Sequence, residues 1–319
     1  MASPSSSLAT LRPDLVGAFQ EFDVEANQRG FVGLRAFPVI EVALPSDNPG
    51  KITLESLLKT EATERAPGAH YSRGKFDFTT WTYATVEHGF EMPIDDSQRR
   101  RYRFFFDLEV NSARAVRDRV LRNLEIRIAA IVNAISTSTA AGTAWSSWSS
   151  ATPIANVVAA KDAIRVRTGY EADTLILTPK AFDNVSNCAE VTAKLTASGA
   201  GKSAVDMTTE DLAKVFGLRQ VLVAGGLKNS ANEKQSASLA NIWGNTSAKL
   251  IVGAKTNDPQ EPCYGRTFHY SEDGSSIGAT LETYRDEEAR GDVVRARMET
   301  DEVEMYGEMG QLITGVLAS

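Results

Sequence analysis

Between residues 107 and 135 the apolar positions repeat with a helical period. Val116, Val120, Leu124, Ile128, Ile131 and Ile135 follow one another at steps of four, four, four, three and four. That spacing lines one face of an α-helix with a single apolar stripe. No Gly or Pro interrupts the stretch. At about 1.5 Å of rise per residue the helix would be about 43 Å long. The other face carries Arg114, Arg117, Arg119, Arg122 and Arg127, with Asp118 and Glu125 among them. The pattern predicts a spine helix with a core side and a basic ridge.

Upstream, the Ser-rich start and residues 11–30 read as an N-terminal arm. Phe31 to Leu44 is β-prone, and Pro38 inside it suits an edge strand or a bulge. Pro45, Asn48, Pro49 and Gly50 mark a turn. Residues 51–85 start polar and pass through turn residues at Pro67 and Gly68. They end in an alternation of Phe76, Phe78, Thr80 and Thr82 against Asp77, Thr79, Trp81 and Tyr83. This predicts two extended arms with a loose tip. An isolated hairpin is marginal in water, so another copy of the chain is the expected support. Glu87 to Asp96 reads as a turn and a short strand, followed by Arg99, Arg100, Arg101 and Arg103.

Downstream of Ile135, Ser, Thr, Ala and Gly dominate to Ala151 around Trp145 and Trp148, which predicts a linker and a domain boundary. Residues 152–254 read as an α/β unit. Thr152-Pro153 and Thr178-Pro179 start helices, Gly169 ends the first, and Thr208 or Thr209 opens a further helix ending at Gly217. Strands are expected at Thr174–Leu177, Gln220–Val223 and Lys249–Val252, with a polar loop at residues 225–236. Beyond Pro262, strands are expected at Thr267–Ser271, Ile277–Tyr284, Val293–Thr300 and Gln311–Leu317.

The chain has 319 residues, with 42% apolar and 24% charged residues, which fits a globular protein with a sizeable core. Its net charge of −7 argues against a dedicated nucleic-acid binder. No run approaches the length of a membrane-spanning helix. Two isolated cysteines make no disulfide framework, so a reducing compartment is expected. Charge is unevenly distributed. Residues 97–127 hold nine Arg against four acids, and residues 281–310 hold ten acids against four Arg. Opposite fields favour docking of the two regions, within one subunit or between subunits.

Chemistry of an active site is missing from the sequence. His70, His88 and His269 have no partners at metal-ligand spacing. Gly199 to Ser203 looks like a phosphate loop, but the motif's first Gly is Thr196 here and no buried strand precedes it. Asp95-Asp96 and Glu287-Glu288 are sequence neighbours in turns, where side chains face apart. No catalytic residue, metal or cofactor is expected.

The order of parts is more informative. The stretch HYSRGKFDFTTWTYATVEHGFEMPIDD, the Arg-rich spine helix, the α/β insertion and the closing VVRARMETDEVEMYGEMGQLITGVL together resemble the major capsid proteins of tailed bacteriophages, of the Hong Kong ninety-seven type. The resemblance runs from about Phe31 to the end. It implies an α+β fold of arm and first strand (1–50), extended loop (51–85), peripheral domain with the spine helix (86–140), axial α/β domain (141–261) and return strands of the peripheral domain (262–319). It implies a coat protein whose pentamers and hexamers enclose double-stranded DNA in a virion. Scaffold, portal and decoration proteins would be its partners, assembly would occur in the bacterial cytoplasm, and no membrane would be involved. The start lies too close to the arm for the long cleavable scaffold segment of the type member, which implies a separate scaffold or prior processing. The type member's Lys–Asn crosslink is not carried over. Lys51, Lys59 and Lys75 lie in or near the matching loop, but no Asn partner can be matched. Expected assembly contacts are Arg99, Arg100, Arg101, Arg103, Arg114, Arg117, Lys75, Trp81, Glu287 and Glu288. An encapsulin-like compartment protein and a nucleotide-binding α/β enzyme using Lys202 are the alternatives.

Overall fold

The computed structural model describes residues 24–53, 56, 58–61, 63–75, 77–102, 107–197, 207–232, 234–244, 246–272, 274–288 and 290–317. The first 23 residues, Arg103 and the Gly199–Ser203 motif with Lys202 therefore lie outside the described residues. In chain order the first elements are helices α1 (Val24–Arg29) and α2 (Gly33–Ala36), strand β1 (Val39–Val42), and the short strands β2 (Ser46–Asp47) and β3 (Gly50–Ile52). Next come β4 (Phe78–Thr80), β5 (Tyr83–Ala84) and β6 (Val86–Asp95), then α3 (Asp96–Tyr102), the spine helix α4 (Leu108–Asn133) and β7 (Ser138–Ala140). The central unit adds α5 (Pro153–Thr168), β8 (Thr174–Leu177), α6 (Pro179–Asn187), α7 (Ala189–Ala197), α8 (Thr209–Phe216), β9 (Gln220–Val223), β10 (Leu227–Asn229), β11 (Leu239–Asn241) and β12 (Ser247–Ile251). The chain closes with β13 (Gly265–Tyr270), β14 (Thr280–Asp286), β15 (Gly291–Glu304) and β16 (Gly310–Thr314).

The spine helix starts where its cap allows. The Asp107 carboxylate accepts the amides of Glu109 and Val110 at 3.0 and 3.3 Å. The apolar stripe is buried along Val116, Val120, Leu124 and Ile128. The basic ridge needs one correction: Asp118 and Glu125 belong to the buried side, at 2% and 3% exposure. Each is tied to other groups. Asp118 pairs with Arg122 one turn on and accepts the Gln28 amide at 3.2 Å.

The structure has two five-stranded sheets, and the spine packs on the first through β15 and β6. In the first, β1, β13, β15 and β14 run in that order, with β6 also paired to β15. The second has the order β7, β16, β12, β8, β9. The edge position expected for the stretch around Pro38 holds, but the strand is shorter than expected. Residues 33–36 are helical, Pro38 precedes the strand, and β1 is an edge strand paired in parallel with β13. The expected turn and short strand at 87–96 is instead one ten-residue strand, β6, antiparallel to β15 from Val86↔Thr300 to Asp95↔Gly291. Pro93 is tolerated because β6 has a ladder on one side among the described strands.

The Ser/Ala-rich stretch after the spine is not a free linker. β7 joins the second sheet beside β16, and Trp145 is fully buried, its indole N–H donating to Asn156 Oδ1 at 3.0 Å. A small β10–β11 hairpin spans residues 227–241, so the stretch 225–236, expected as a plain loop, contributes its first strand. The last strand also differs. β16 pairs with β12 and β7 in the sheet of the central unit, so the chain end does not stay with the peripheral strands. Elsewhere the local signals hold. Thr208 forms a reciprocal capping box with Asp211, and Gly169 and Gly217 end their helices in the left-handed conformation. Thr152 precedes Pro153 as expected, but its side chain makes no capping bond.

Candidate assembly interface

Residues 46–85 form the part of the chain that stands off. Its base is built from two short ladders, β2 with β5 and β3 with β4. The base is anchored by rings. Tyr83 stacks on Phe268 with centroids 4.8 Å apart, and Trp81 lies 5.2 Å from the same ring. Trp81, expected to face another copy, is thus half-buried within its own subunit. The Ala84 amide adds a bond to Asp301 Oδ2 at 2.9 Å. The segment exposes large apolar side chains, Phe78 on β4 at 68% and, beyond β3 and β4, Leu58 at 66% and Tyr71 at 70%. Lys75 is exposed there, 3.9 Å from Asp77.

The second candidate surface is a charged corner where α3 meets the β14–β15 turn. Arg99 bridges Glu109 at 2.8 Å and Asp292 at 2.5 Å. Arg285 pairs with Asp96 at 2.7 Å and reaches Asp292 and Glu287. Its hydrogen bonds hold the Asp96 carboxyl below the usual range. Glu282, clasped by Arg297 and then Arg295, is lowered in the same way. The basic and acidic regions therefore dock substantially inside one subunit. The structure brings Arg99 and Glu287 into one network. Arg100, Arg101 and Glu288 are exposed beside it, and Arg114 and Arg117 lie farther along α4. Arg117 donates to the Gly278 carbonyl at 2.9 Å. These exposed pairs contribute little to stability, which leaves them available for rearrangement. Sequence reasoning did not single out Arg285, Asp96 and Asp292 as contacts; the opposite charge balance of residues 97–127 and 281–310 was the available signal.

A third set of contacts fixes the root of the arm. The buried Glu125 carboxylate accepts the amides of Val32 at 2.8 Å and Gly33 at 2.7 Å, and the Trp243 indole N–H at 2.6 Å. Burial pushes this carboxyl up, and the three N–H donors oppose the shift. One side chain on the spine thus holds the arm and the loop before β12 together. Asn27 adds bonds to both backbone atoms of Leu227, and the Gly30 carbonyl accepts the Gly225 and Gly226 amides. On the far side of Trp243 its carbonyl accepts Lys249 Nζ.

Both cysteines are free and fully buried, and burial pushes Cys188 up to about 11. Among the described residues no group of His, Cys, Asp or Glu is placed to hold a metal ion, and no helix is long and apolar enough to cross a membrane.

No family model matches the sequence, and no curated protein does. Solved structures match across nearly the whole chain. A phage-related protein from Bordetella bronchiseptica RB50 is 20% identical over 97% of this chain and 96% of its own, with a TM-score of 0.63. The capsid of cyanophage P-SCSP1u aligns at 9% identity over 89% and 87%, with a TM-score of 0.60. Microbacterium phage Oxtober96 aligns at 11% identity over 98% of both chains, with a TM-score of 0.58. The fold is that of phage capsid subunits. In detail it is the α+β capsid fold of Hong Kong ninety-seven type that the order of parts resembles.

Proposed function

We propose that this chain is the major coat protein of a tailed bacteriophage. Copies assemble as pentamers and hexamers into an icosahedral shell around double-stranded DNA. The observation that carries the reading is the extended loop. It leaves Leu58, Tyr71 and Phe78 largely exposed, and apolar groups so exposed gain burial against another molecule. A shell of identical subunits supplies that molecule at every position, and weak contacts add over many copies. The net charge of −7 suits a container that encloses DNA without gripping it. The exposed Arg100, Arg101 and Glu288 are offered as contacts between copies, with scaffold and portal proteins as further partners. Assembly in the host cytoplasm follows from the same reading.

Expression of the full chain, with and without its candidate scaffold, followed by electron microscopy tests the proposal. Closed shells of uniform diameter are expected, and deletion of residues 53–77 should abolish them while leaving a folded subunit. Monomers or small closed oligomers under all conditions would refute it. Shells filled with protein in place of DNA would favour a bacterial compartment.

A further inference from the structure

The β3–β4 ladder at the root of the extended loop stands over a cleft of about 630 Å³. Lys51, Thr53 and Thr79 form the loop's wall of this cleft. Ser136, Thr137, Arg167 and residues 306–308 line the body's wall. Polar groups on the body's wall are engaged with the body itself. Thr137 Oγ1 donates to the Gly310 carbonyl at 2.8 Å, and Arg167 donates to the carbonyls of Glu308 and Gly310 and to Gln311 Oε1. Lys51 crosses the gap. Its Nζ donates to the Met305 carbonyl at 2.9 Å and sits 3.8 Å from the centroid of the Tyr306 ring. Burial lowers its pKa, and the nearby Glu308 and Glu304 carboxylates oppose that shift by favouring the charge. A carbonyl, an aromatic face and two carboxylates make a receptor for an ammonium group.

The neighbouring β2–β5 ladder is held differently, by the Tyr83–Phe268 stack and the Ala84–Asp301 bond. Between the two ladders lie residues 48–49 and 81–82, joined by the Trp81 amide to the Pro49 carbonyl at 3.2 Å and by Thr82 to Asn48 at 2.6 Å. A Cβ placed on Gly50 would meet nothing within 4 Å. Gly50, the first residue of β3, thus leaves open space where the two ladders join.

We propose that Lys51 is a releasable pin whose ammonium, seated on the Met305 carbonyl and the Tyr306 ring, sets the angle at which the extended loop leaves the subunit. The leverage is large. A limb of about twelve residues reaches at most about 40 Å when fully extended, and less here because residues 56 and 58 are helical, so a swing of about 10° moves its tip by up to about 7 Å. The consequence for where the loop lands on a neighbouring copy rests on the coat-protein reading; the pin itself does not.

The test uses the full, unassembled chain, so failure to form shells leaves it intact. Nitroxide labels go on His70→Cys in the loop and Lys180→Cys on α6, both exposed; the native cysteines are buried and stay unlabelled. Pulsed dipolar spectroscopy then reads the spread of loop-to-body distances. A narrow distribution is expected in the otherwise unaltered chain and with Lys51→Arg. Lys51→Met should broaden it at least two-fold, with the melting temperature held within about 2 °C. An unchanged width in Lys51→Met would overturn the pin, as would equal breadth in the unaltered chain.

Discussion

Lys249 sits on β12, the central strand of the second sheet, with 1% of its surface exposed. Its ammonium donates to the carbonyls of Trp243 and Ser247. Burial lowers its pKa from 10.5 to about 8. A lowering of that size means that charging the side chain costs about 3 kcal/mol more in the folded than in the unfolded chain. The sign of the pH dependence follows. Between pH 8 and 10.5 the unfolded chain holds this proton and the folded chain has released it. The unfolded state then binds more protons, so stability rises with pH across that window, by about 3 kcal/mol in all. Lys249→Met keeps the length and apolar stem and removes the titration. At pH 7 the variant is relieved of about 3 kcal/mol of desolvation and loses two hydrogen bonds worth about 1 kcal/mol each, so it should be more stable by about 1 kcal/mol. At pH 10.5 the relief is gone and the order reverses, with the variant less stable by about 2 kcal/mol. Urea denaturation of the unassembled protein at half-unit steps from pH 7 to 10.5, with the difference between the two curves taken at each pH, isolates this residue from the tyrosines and cysteines. Two parallel curves would refute the reasoning.

Other substitutions probe the arm and the spine. Glu125→Gln turns an amide toward the Val32 and Gly33 N–H groups and should cost about 1–3 kcal/mol, measured by the urea midpoint with tryptophan fluorescence. An unchanged midpoint would show that the junction is not holding the arm. Gly30→Ala places a Cβ 2.7 Å from the Gly225 carbonyl carbon and 2.8 Å from the Gly226 nitrogen, backbone atoms that cannot turn aside. A loss of about 1–3 kcal/mol in the same assay is expected. Arg127 grips Glu302, whose side chain is 4% exposed, at 2.6 Å. Arg127→Met removes the charge partner of that carboxylate, to which Thr300 Oγ1 still donates, and should cost about 2–3 kcal/mol, part of which Glu302→Gln restores in a double-mutant cycle. Lys59→Ala, which removes an exposed partner of Glu61, should shift the midpoint by less than about 0.5 kcal/mol.

Signals confined to a few neighbouring residues were legible in the sequence. The spine helix, the Thr178-Pro179 start, the Thr208 cap with Gly217 and the strand Gln220–Val223 each depend on contacts within one turn or one strand, and each forms as the pattern predicts. The candidate surfaces were partly legible. The loop's weak self-burial could be read from its alternation and turn residues. The inward turn of Trp81 could not, because Phe268 lies nearly two hundred residues away. Tertiary structure alone decided that Asp118 and Glu125 are core residues of a charged helix, since the groups that satisfy Glu125 come from Val32, Gly33 and Trp243. It also decided that β6 runs for ten residues along β15, that Trp145 is buried in a stretch with a linker's composition, and that β16 returns to the central sheet. A helix writes its period into adjacent residues, whereas a buried charge or a strand ladder is stable only when a partner distant in the chain arrives to complete it.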